Sequence, residues 1–397
     1  MCSQLDAVPA ASEADPLSSR PATPPLHATA GTMLAGLRLA EVAGGAPKCI
    51  CERTPRSRIF YMKIAFFELE GWEEEILKKA FAGHELLLSR ERLDDLHLPE
   101  RDDFEIISVF ADSQISKAVV DFLPHLKFVA TRTTGFDHLD LAALKDRKIS
   151  ASFVPGYGDH TVAEFTFGLM LNLTRKIYYG IDRVRETGSF SLTDLRGNEL
   201  RGKTLGVIGT GRIGKEVIKM AKCFGLRVIA SDLMPDADFA NEYGVAYMAL
   251  EDLLRNSDII TIHCPYNAKT HHLINAENVK FIKKGAYLIN TARGGIVETE
   301  ALIFALREGV LAGAALDVLE EEGDMKDELN LLGAVHPKQG ELVTILSNHL
   351  LMKAPNVLIT PHMAFNSQEA LERILNMTIE NINQFIAGKP INIIPCA

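Results

Sequence analysis

The sequence predicts an α/β protein with two doubly wound parallel sheets. From Met62 onward, short apolar β-like runs alternate with helical ones, which is typical of parallel strands joined by covering helices. Near the middle of the chain, one of these runs breaks into three spaced glycines that open a helical pattern. A chain of 397 residues is also long enough for two domains of ordinary size.

The composition is that of a globular protein with a substantial core, since 47% of the residues are hydrophobic and 24% are charged. A formal net charge of −10 argues against a nucleic-acid or anionic-membrane surface, which would need a basic footprint. No apolar run is long enough to predict a membrane span. The six cysteines are too sparse for a disulfide framework and favour a reducing compartment.

Residues 1–61 differ from the rest of the chain. They contain seven prolines, many Ala and Ser residues and no sustained periodicity, so they cannot bury enough apolar surface to offset their ordering entropy. We predict that this extension is disordered. Its acidic residues, such as Asp6, Glu13 and Asp15, are unusual in a transit peptide. We therefore expect a cytoplasmic protein, with organelle targeting as the alternative.

The first predicted layer lacks a glycine fingerprint and is expected to be a companion domain. Its loops at 110–113 and 133–137 follow strands, where α/β sheets present their ligand-facing edge. A turn rich in Pro and Gly, at 154–159, then leads into a long apolar helix at about 161–177 that carries the chain into the next domain. The strands are predicted at 63–67, 85–88, 106–110, 128–131 and 149–153, and helices at 72–81 and 115–122.

The run LGVIGTGRIG predicts a phosphate-binding turn. Gly209 allows the tight turn, Gly211 lets the backbone approach a pyrophosphate, and Gly214 lets the helix sit against the strand. The amides of Arg212 and Ile213, at the start of the helix, then face an anion. The stretch is therefore a candidate dinucleotide site.

A carboxylate follows the next strand, where a dinucleotide site needs one. Asp232 directly follows the run RVIAS and lies 23 positions after Gly209. This is about the separation expected for the acid that binds the ribose hydroxyls. Asp232 would repel a 2′-phosphate, and no Arg follows it before Pro235. NAD is therefore predicted over NADP. The alternative is a similar crossover without a nucleotide, or one that holds another adenosine ligand such as S-adenosylmethionine.

The second domain repeats the β-α rhythm. Its end is less regular, because residues 320–356 are rich first in charges and then in leucines, and we predict an irregular insertion there. A helix at 367–387 is expected to cross back to the first domain, followed by an extended run at 391–395. The strands are predicted at 204–208, 227–231, 258–263, 286–291, 313–318 and 357–360.

Reactive side chains follow three of these strands: Arg293 in NTARGG, the acids of LDVLEEE, and His362 in TPH. They could converge, because strand ends of a doubly wound sheet meet at the ligand crevice. Arg293 could hold a carboxylate and polarise the neighbouring carbonyl. His362 could donate a proton to the developing alkoxide if a carboxylate kept it protonated.

No metal is expected. The paired His271 and His272 suggest a metal site, but neighbouring residues on an extended chain point to opposite faces. The carboxylate binding and proton donation expected of Arg293 and His362 need no metal either.

In this order and spacing, GTGRIG with Asp232, INTARGG, LDVLEEE and TPH resemble the signatures of the D-isomer-specific 2-hydroxyacid dehydrogenases. The resemblance covers about residues 62–397 and is strongest to the D-lactate dehydrogenase branch, where VPGYGDHTVAEF and TRTTGFDHLD also have counterparts. The expected fold is a flavodoxin-like substrate domain, residues 62–160 and 366–397, and an inserted Rossmann NAD-binding domain, residues 161–365.

The resemblance implies a catalytic set of Arg, Glu and His and a homodimer. The Glu is expected at Glu322, five positions after Asp317, although Glu320 and Glu321 are adjacent acids. The implied set comprises the catalytic Arg293, Glu322 and His362, the nicotinamide-facing Thr291, Ala292 and Asp317, and the substrate-side Ala111, Gly135 and Tyr157.

The leading hypothesis is an NAD-dependent oxidoreductase that interconverts a small 2-oxo acid, pyruvate first, and its D-2-hydroxy acid. The alternative is an NAD-sensing interaction protein, because corepressor relatives of the family keep the same motifs. Four aromatic residues could form an apolar wall for a short aliphatic or aromatic substrate side chain, or belong to the core: Phe110, Phe136, Tyr157 and Phe365. Formate, phosphoglycerate and glyoxylate remain further substrate classes.

Overall fold

The computed structural model describes residues 61–320 and 339–395, and in the second stretch it describes side chains from residue 346 onward. The predicted disorder of the N-terminal extension and the predicted catalytic Glu322 therefore lie outside the described residues. Among the described residues, none of the helices is long and apolar enough to cross a membrane.

The first sheet has five parallel strands in the order β2-β1-β3-β4-β5, which is the flavodoxin-like order. Its β3 and β4 are buried along their whole length, as expected for a parallel sheet covered on both faces. The strands are β1 (Lys63–Phe66), β2 (Glu85–Leu88), β3 (Ile106–Val109), β4 (Phe128–Thr131) and β5 (Ser150–Ser152), and the helices between them are α1 (Gly71–Ala80), α2 (Lys117–Phe122) and α3 (Leu141–Asp146).

The second sheet has seven parallel strands in the order β12-β11-β10-β9-β6-β7-β8, so β6 and β9 meet at the topological switch point. The predicted fold class, two doubly wound parallel sheets with a Rossmann order in the second, is confirmed. The strands are β6 (Thr204–Ile208), β7 (Arg227–Ser231), β8 (Ala246–Tyr247), β9 (Ile259–Ile262), β10 (Ala286–Asn290), β11 (Leu311–Leu316) and β12 (Val357–Ile359).

A long helix joins the two sheets. α4 (Asp159–Arg175) buries Ala163, Phe167 and Met170 in the core of the second sheet, where it packs mainly on α6 (Arg212–Cys223) and on the strands β10 and β11. It ends at Lys176, which has φ +54, and α5 (Ile177–Thr187) begins directly afterwards. The remaining helices are α7 (Ala237–Tyr243), α8 (Leu250–Asn256), α9 (Thr299–Arg307), α10 (Gln339–Lys353) and α11 (Gln368–Ile386).

The prediction of an irregular stretch over residues 320–356 is wrong for α10. The helix buries Ser347 and Leu351 but leaves Leu346 and Leu350 exposed. Its apolar residues therefore lie on both faces, and the sequence lacks the single apolar stripe by which an amphipathic helix is recognised. The strand β8 was also missed, because two residues are too short to give a pattern.

The C-terminal helix α11 packs on the first sheet. The ring of Phe385 stacks on Phe128 of β4 with the ring centres 4.2 Å apart. Asn381 donates a hydrogen bond from Nδ2 to the carbonyl oxygen of Phe153 (3.0 Å). Ile393 then pairs antiparallel with Ser152, so the tail covers the β5 edge of the sheet.

Candidate active site

The glycine turn after β6 is held by close backbone packing. Gly209 has φ +89, and a Cβ there would lie 2.6 Å from the amide nitrogen of Cys264. A Cβ on Gly214 would lie 2.1 Å from the carbonyl oxygen of Gly209. Around Gly211, by contrast, a Cβ would meet no atom of the described residues within 4 Å. The N-terminus of α6 is therefore open at Gly211, which fits a bound pyrophosphate.

Asp232 lies beside this turn at the end of β7. Its carboxylate accepts hydrogen bonds from the Thr210 amide (2.6 Å), the Thr210 hydroxyl (3.0 Å) and the Met234 amide (2.8 Å). Burial acts to raise the pKa of Asp232, but these donors outweigh it and hold the pKa below its usual value. The ionised carboxylate suits ribose hydroxyls and would repel a 2′-phosphate.

The residues that follow β9 are neutral. Burial lowers the pKa of His263 to about 3 and raises the pKa of Cys264 to about 11. The imidazole Nε2 hydrogen-bonds the hydroxyl of Thr261 at 2.8 Å. Neither side chain offers a positive charge near Asp232 at neutral pH, which also favours NAD over NADP.

Arg293 and Gly135 connect the loop after β10 of the second sheet with the loop after β4 of the first sheet. Arg293 follows β10, and its Nη1 donates to the Ala292 carbonyl oxygen (2.8 Å). Its Nε lies 3.4 Å from Oδ2 of Asp137, in the loop after β4. A Cβ on Gly135 in the same loop would lie 2.0 Å from Nη2 of Arg293. The guanidinium therefore sits directly on the backbone of the first domain's loop.

Hydrogen bonds fix the shape of this loop. The Thr133 hydroxyl donates to the Gly135 carbonyl oxygen (2.5 Å), and the Thr134 hydroxyl donates to the Val154 carbonyl oxygen (2.8 Å). His138 Nε2 hydrogen-bonds the Thr131 hydroxyl (2.9 Å). Burial lowers the pKa of His138 to about 4, so its ring is neutral near pH 7 and adds no charge beside Arg293.

His362 lies in a tight loop that Asp317 organises. His362 has φ +50, and its amide donates to the Asp317 carbonyl oxygen (2.8 Å). The Asp317 carboxylate, only 1% exposed, accepts from the Thr360 hydroxyl (2.6 Å) and from the amides of Met363 (2.9 Å) and Ala364 (2.8 Å). Burial raises the pKa of Asp317, which these donors only partly offset. That Asp317 also faces a nicotinamide stays a prediction.

Phe365 links His362 to the substrate-side aromatic residues. Its ring centre lies 5.5 Å from that of Phe110, 6.5 Å from that of Tyr157 and 6.4 Å from that of His362, with the rings edge to face. Burial raises the pKa of Tyr157 to about 12, so its phenol is neutral. Phe136 instead packs on Phe153 within the first sheet's core. Three of the four predicted aromatic residues therefore form one cluster with His362.

The acidic triplet is described only at its first member. Glu320 accepts hydrogen bonds from the Thr299 hydroxyl (2.7 Å) and amide (3.2 Å), and its Oε1 lies 2.6 Å from Nε2 of His272. Burial acts to raise the pKa of Glu320, but these partners hold it below its usual value. The carboxylate thus faces the start of α9, and Glu322 stays the predicted partner of His362.

His271 and His272 do not point to opposite faces, so that prediction is wrong. His272 has φ +48, so the chain turns here, and the two rings stack with their centres 3.8 Å apart. His271 Nδ1 hydrogen-bonds the Tyr266 hydroxyl (3.0 Å). Over residues 61–320 and 339–395, no group of three or more His, Cys, Asp or Glu residues could hold a metal ion.

The other predicted site residues have structural partners. The Thr291 hydroxyl lies 3.1 Å from that of Thr166 in α4, and the Ala292 amide donates to Asn290 Oδ1 (3.0 Å). Arg212 reaches back so that its Nε is 3.6 Å from Oδ2 of Asp159, at the start of α4. Ile213 packs against the core beside β6. Asp137 lies in the predicted loop 133–137, but its ion pair with Arg293 was not predicted.

Comparison with known proteins identifies the family. The model of the "D-isomer specific 2-hydroxyacid dehydrogenase, NAD binding domain" matches residues 167–364. The 2-hydroxyacid dehydrogenase homolog of Zymomonas mobilis is 36% identical over 333 residues, which cover 83% of this chain and 98% of that protein. An aromatic 2-oxoacid reductase of Clostridium sporogenes is 40% identical over 261 residues, 66% of this chain and 76% of that protein.

Solved structures show the same fold. The D-lactate dehydrogenase of Aquifex aeolicus, determined with NAD and lactic acid, is 34% identical and superposes with a TM-score of 0.72 over 82% of this chain and 96% of that chain. The glycine turn, the open helix N-terminus and Asp232 agree with the matched NAD-binding domain. The chain belongs to the D-isomer specific 2-hydroxyacid dehydrogenase family, as an NAD-dependent oxidoreductase.

Proposed function

We propose that this enzyme reduces pyruvate, or a similar small 2-oxo acid, to the D-2-hydroxy acid with NADH, and catalyses the reverse reaction with NAD. The observation that carries the proposal is the contact of the Arg293 guanidinium with the Gly135 loop. This contact puts a permanent positive charge where the two domains meet, as binding of a 2-oxo acid carboxylate requires. The lactic acid bound to the similar Aquifex aeolicus enzyme supports the substrate class.

The proposed residues act in order during one reaction cycle. Arg293 holds the substrate carboxylate and polarises the adjacent carbonyl, while Ala111, Gly135 and Tyr157 line the substrate side. NADH, when bound, supplies the hydride. His362 gives its proton to the oxygen that becomes the alcohol, and Glu322 keeps that imidazole protonated near neutral pH. In the reverse direction His362 takes the proton back.

An aromatic 2-oxo acid is the second candidate substrate. The edge-to-face contacts of Phe365 with Phe110 and Tyr157 favour it, because an aromatic substrate ring could join the same cluster. The similarity to an aromatic 2-oxoacid reductase points in the same direction.

A substrate panel tests the proposal. Pyruvate, phenylpyruvate, glyoxylate and hydroxypyruvate would each be supplied with NADH, and the loss of NADH absorbance and the chirality of the product measured. We expect turnover of pyruvate or phenylpyruvate to the D-isomer. Tight NADH binding without turnover of any of the four would contradict the proposal and favour the NAD-sensing interaction protein, which the comparisons do not support.

We also propose the predicted domain division, with residues 62–160 and 366–397 on the substrate side and 161–365 binding NAD. The packing of α11 on the first sheet supports it. A cytoplasmic location is proposed from the sparse cysteines, of which the described Cys223 and Cys264 are free thiols.

A homodimer is proposed from the surface of α5. Ile177, Ile181 and Val184 follow one another along one face of this helix and are exposed. Phe190 and Leu192, in the loop that follows, are 85% and 82% exposed. Contiguous exposed apolar side chains of this kind are typical of a protein–protein interface.

A further inference from the structure

Glu68 has an unusual backbone conformation at the end of β1. Its φ of +54 lies in the left-handed region, which is unfavourable for a residue with a Cβ. Two main-chain contacts hold it there. Its amide donates to the Glu91 carbonyl oxygen (2.9 Å), and its own carbonyl oxygen accepts from Nη2 of Arg132 (2.7 Å). Such a conformation persists where the surroundings fix it, and such sites cluster near function.

The side chain of Glu68 closes the loop that follows β3. Its carboxylate accepts hydrogen bonds from the amides of Phe110 (2.9 Å), Asp112 (2.7 Å) and Ser113 (3.2 Å), and from the Ser113 hydroxyl. Hydrogen bonds to an ionised acceptor are about twice as strong as neutral ones. One carboxylate thus gathers three amide groups of a four-residue loop, and that loop contains the predicted substrate-side residue Ala111.

One end of this loop is buried and its middle is exposed. Ser113 is buried and its hydroxyl oxygen accepts a hydrogen bond from the Leu93 amide (2.9 Å). Ala111 and Asp112 are exposed, and beside them lies a cavity of about 430 Å³ lined by Glu68, Arg90, His97, Phe110 and other residues. The Glu68 carboxylate therefore holds the exposed part of the loop through the amides of Phe110 and Asp112.

The loop in turn places an aromatic ring of the candidate active site. The ring of Phe110 lies over the guanidinium of Arg132 (5.4 Å) and meets Phe365 edge to face. Arg132 is buried and lies 3.5 Å from a carboxylate oxygen of Glu73. The Phe110 amide is fixed by Glu68, so the position of its ring against Phe365 depends on the same carboxylate.

We propose that Glu68 is a positioning residue for substrate binding, which fixes the loop 110–113 and the aromatic wall at Phe110. The inference rests on the proposed function, because the wall matters for catalysis only if a 2-oxo acid binds there. Glu68 acts through the loop amides and does not touch the reacting atoms.

The test compares Glu68→Gln with Glu91→Gln, an exposed carboxylate that lines the same cavity. The amide of Gln keeps the size of Glu but presents an N–H₂ group to amide donors. We expect Glu68→Gln to raise KM for the preferred 2-oxo acid about tenfold, since hydrogen bonds to a charged acceptor are lost. The turnover number kcat and the Kd for NADH should stay within about twofold of wild type, and Glu91→Gln should match wild type throughout.

Hydrogen exchange of the loop separates failure of this inference from failure of the proposed function. Even if the wild type reduced no 2-oxo acid, the amides of Phe110, Asp112 and Ser113 should exchange faster in Glu68→Gln than in Glu91→Gln. Unchanged exchange, or an active Glu68→Gln enzyme with the wild-type KM, would overturn the positioning role. The positioning role would also be overturned if Glu68→Gln raised KM but at the same time weakened NADH binding and lowered the melting temperature. Such a result would indicate general destabilisation of the protein and not a local effect on the loop.

Discussion

At the scale of single residues, Arg293 and Gly135 make a close contact between the loops after β10 and β4. The guanidinium lies where a side chain at residue 135 would otherwise be. Glycine at this position permits the close approach of the guanidinium and is not needed for backbone conformation, since Gly135 lacks the positive φ seen at Gly209. The position from which the Arg293 guanidinium would bind a substrate carboxylate therefore depends on the absence of a side chain at Gly135.

Gly135→Ala should therefore damage catalysis more than folding. A Cβ 2.0 Å from Nη2 forces the Arg293 side chain to move, and a displacement of about 1 Å can cost about 10²-fold in rate. We expect kcat/KM for the 2-oxo acid to fall by roughly that factor, with the Kd for NADH unchanged.

Gly168→Ala, in α4, is the matched control. At that position a Cβ would meet no atom of the described residues within 4 Å, and Ala is favoured over Gly in a helix by about 1 kcal/mol. Steady-state kinetics of the two variants decide the matter. Wild-type kcat/KM in Gly135→Ala would show that Arg293 does not act from the position seen here.

The sequence predicted the separate residues better than their partners. The positions of Arg293 and His362 after β10 and β12 were predicted, because these strands were evident from their apolar runs, whereas their catalytic roles stay predictions. The pairing of Arg293 with Asp137 and Gly135 joins distant parts of the chain, which no local pattern reports. The left-handed Glu68 was also unpredictable, because nothing in its neighbours signals a positive φ.

At the scale of elements, the glycine turn between β6 and α6 combines a packing requirement with a binding requirement. Gly214 is needed because α6 touches the backbone of Gly209, whereas Gly211 faces open space. The backbone of Gly211 (φ −66, ψ −163) is extended and can be adopted by alanine. The two glycines should therefore respond differently to the same substitution.

Gly211→Ala should keep the fold and weaken cofactor binding, because its methyl group enters the space assigned to the pyrophosphate. We expect its melting temperature to match wild type and its Kd for NADH to rise about tenfold, or about 1.4 kcal/mol. Gly214→Ala should instead lose about 1–3 kcal/mol of unfolding free energy through overpacking. Thermal unfolding measures the stability of each variant, and NADH titration measures its Kd for the cofactor. Equal losses of stability would contradict the open space at Gly211, and an unchanged Kd for NADH in Gly211→Ala would show that this space is not the pyrophosphate site.

The elements that sequence reasoning missed had weak signals for physical reasons. The strand β8 has only two residues, and α10 spreads its apolar side chains around the helix. The strands β6, β7 and β10 were predicted to within one residue because each contains a short apolar run, and β6 is also buried along its whole length.

At the scale of the whole molecule, α5 and the loop that follows it expose several large apolar side chains. Nζ of Lys176 donates to the carbonyl oxygen of Asp194, and Nη1 of Arg183 donates to those of Ser191 and Thr193. The segment that carries Phe190 and Leu192 is thus fixed against α5 while those side chains stay exposed. A second copy of the chain would cover them.

Ile181→Asp should shift the enzyme toward a monomer, because a carboxylate in an apolar interface has no compensating partner. Light scattering should give twice the chain mass for the wild type and a lower mass for this variant at the same concentration. Leu96→Asp, which changes an exposed leucine of the first domain, is the control and should remain dimeric. A monomeric wild type, or an Ile181→Asp variant that behaves like the control, would contradict the proposed interface.

The central claim is that His362 exchanges the proton during reduction of a 2-oxo acid, and the most direct measurement is the kcat of His362→Gln with NADH and the preferred 2-oxo acid. Gln keeps a hydrogen-bonding side chain but cannot act as a general acid. We predict that kcat falls by about 10²- to 10⁴-fold, the usual contribution of general acid–base catalysis, while the Kd for NADH stays near the wild-type value. An unchanged kcat would contradict the account, because the proton would then come from another group.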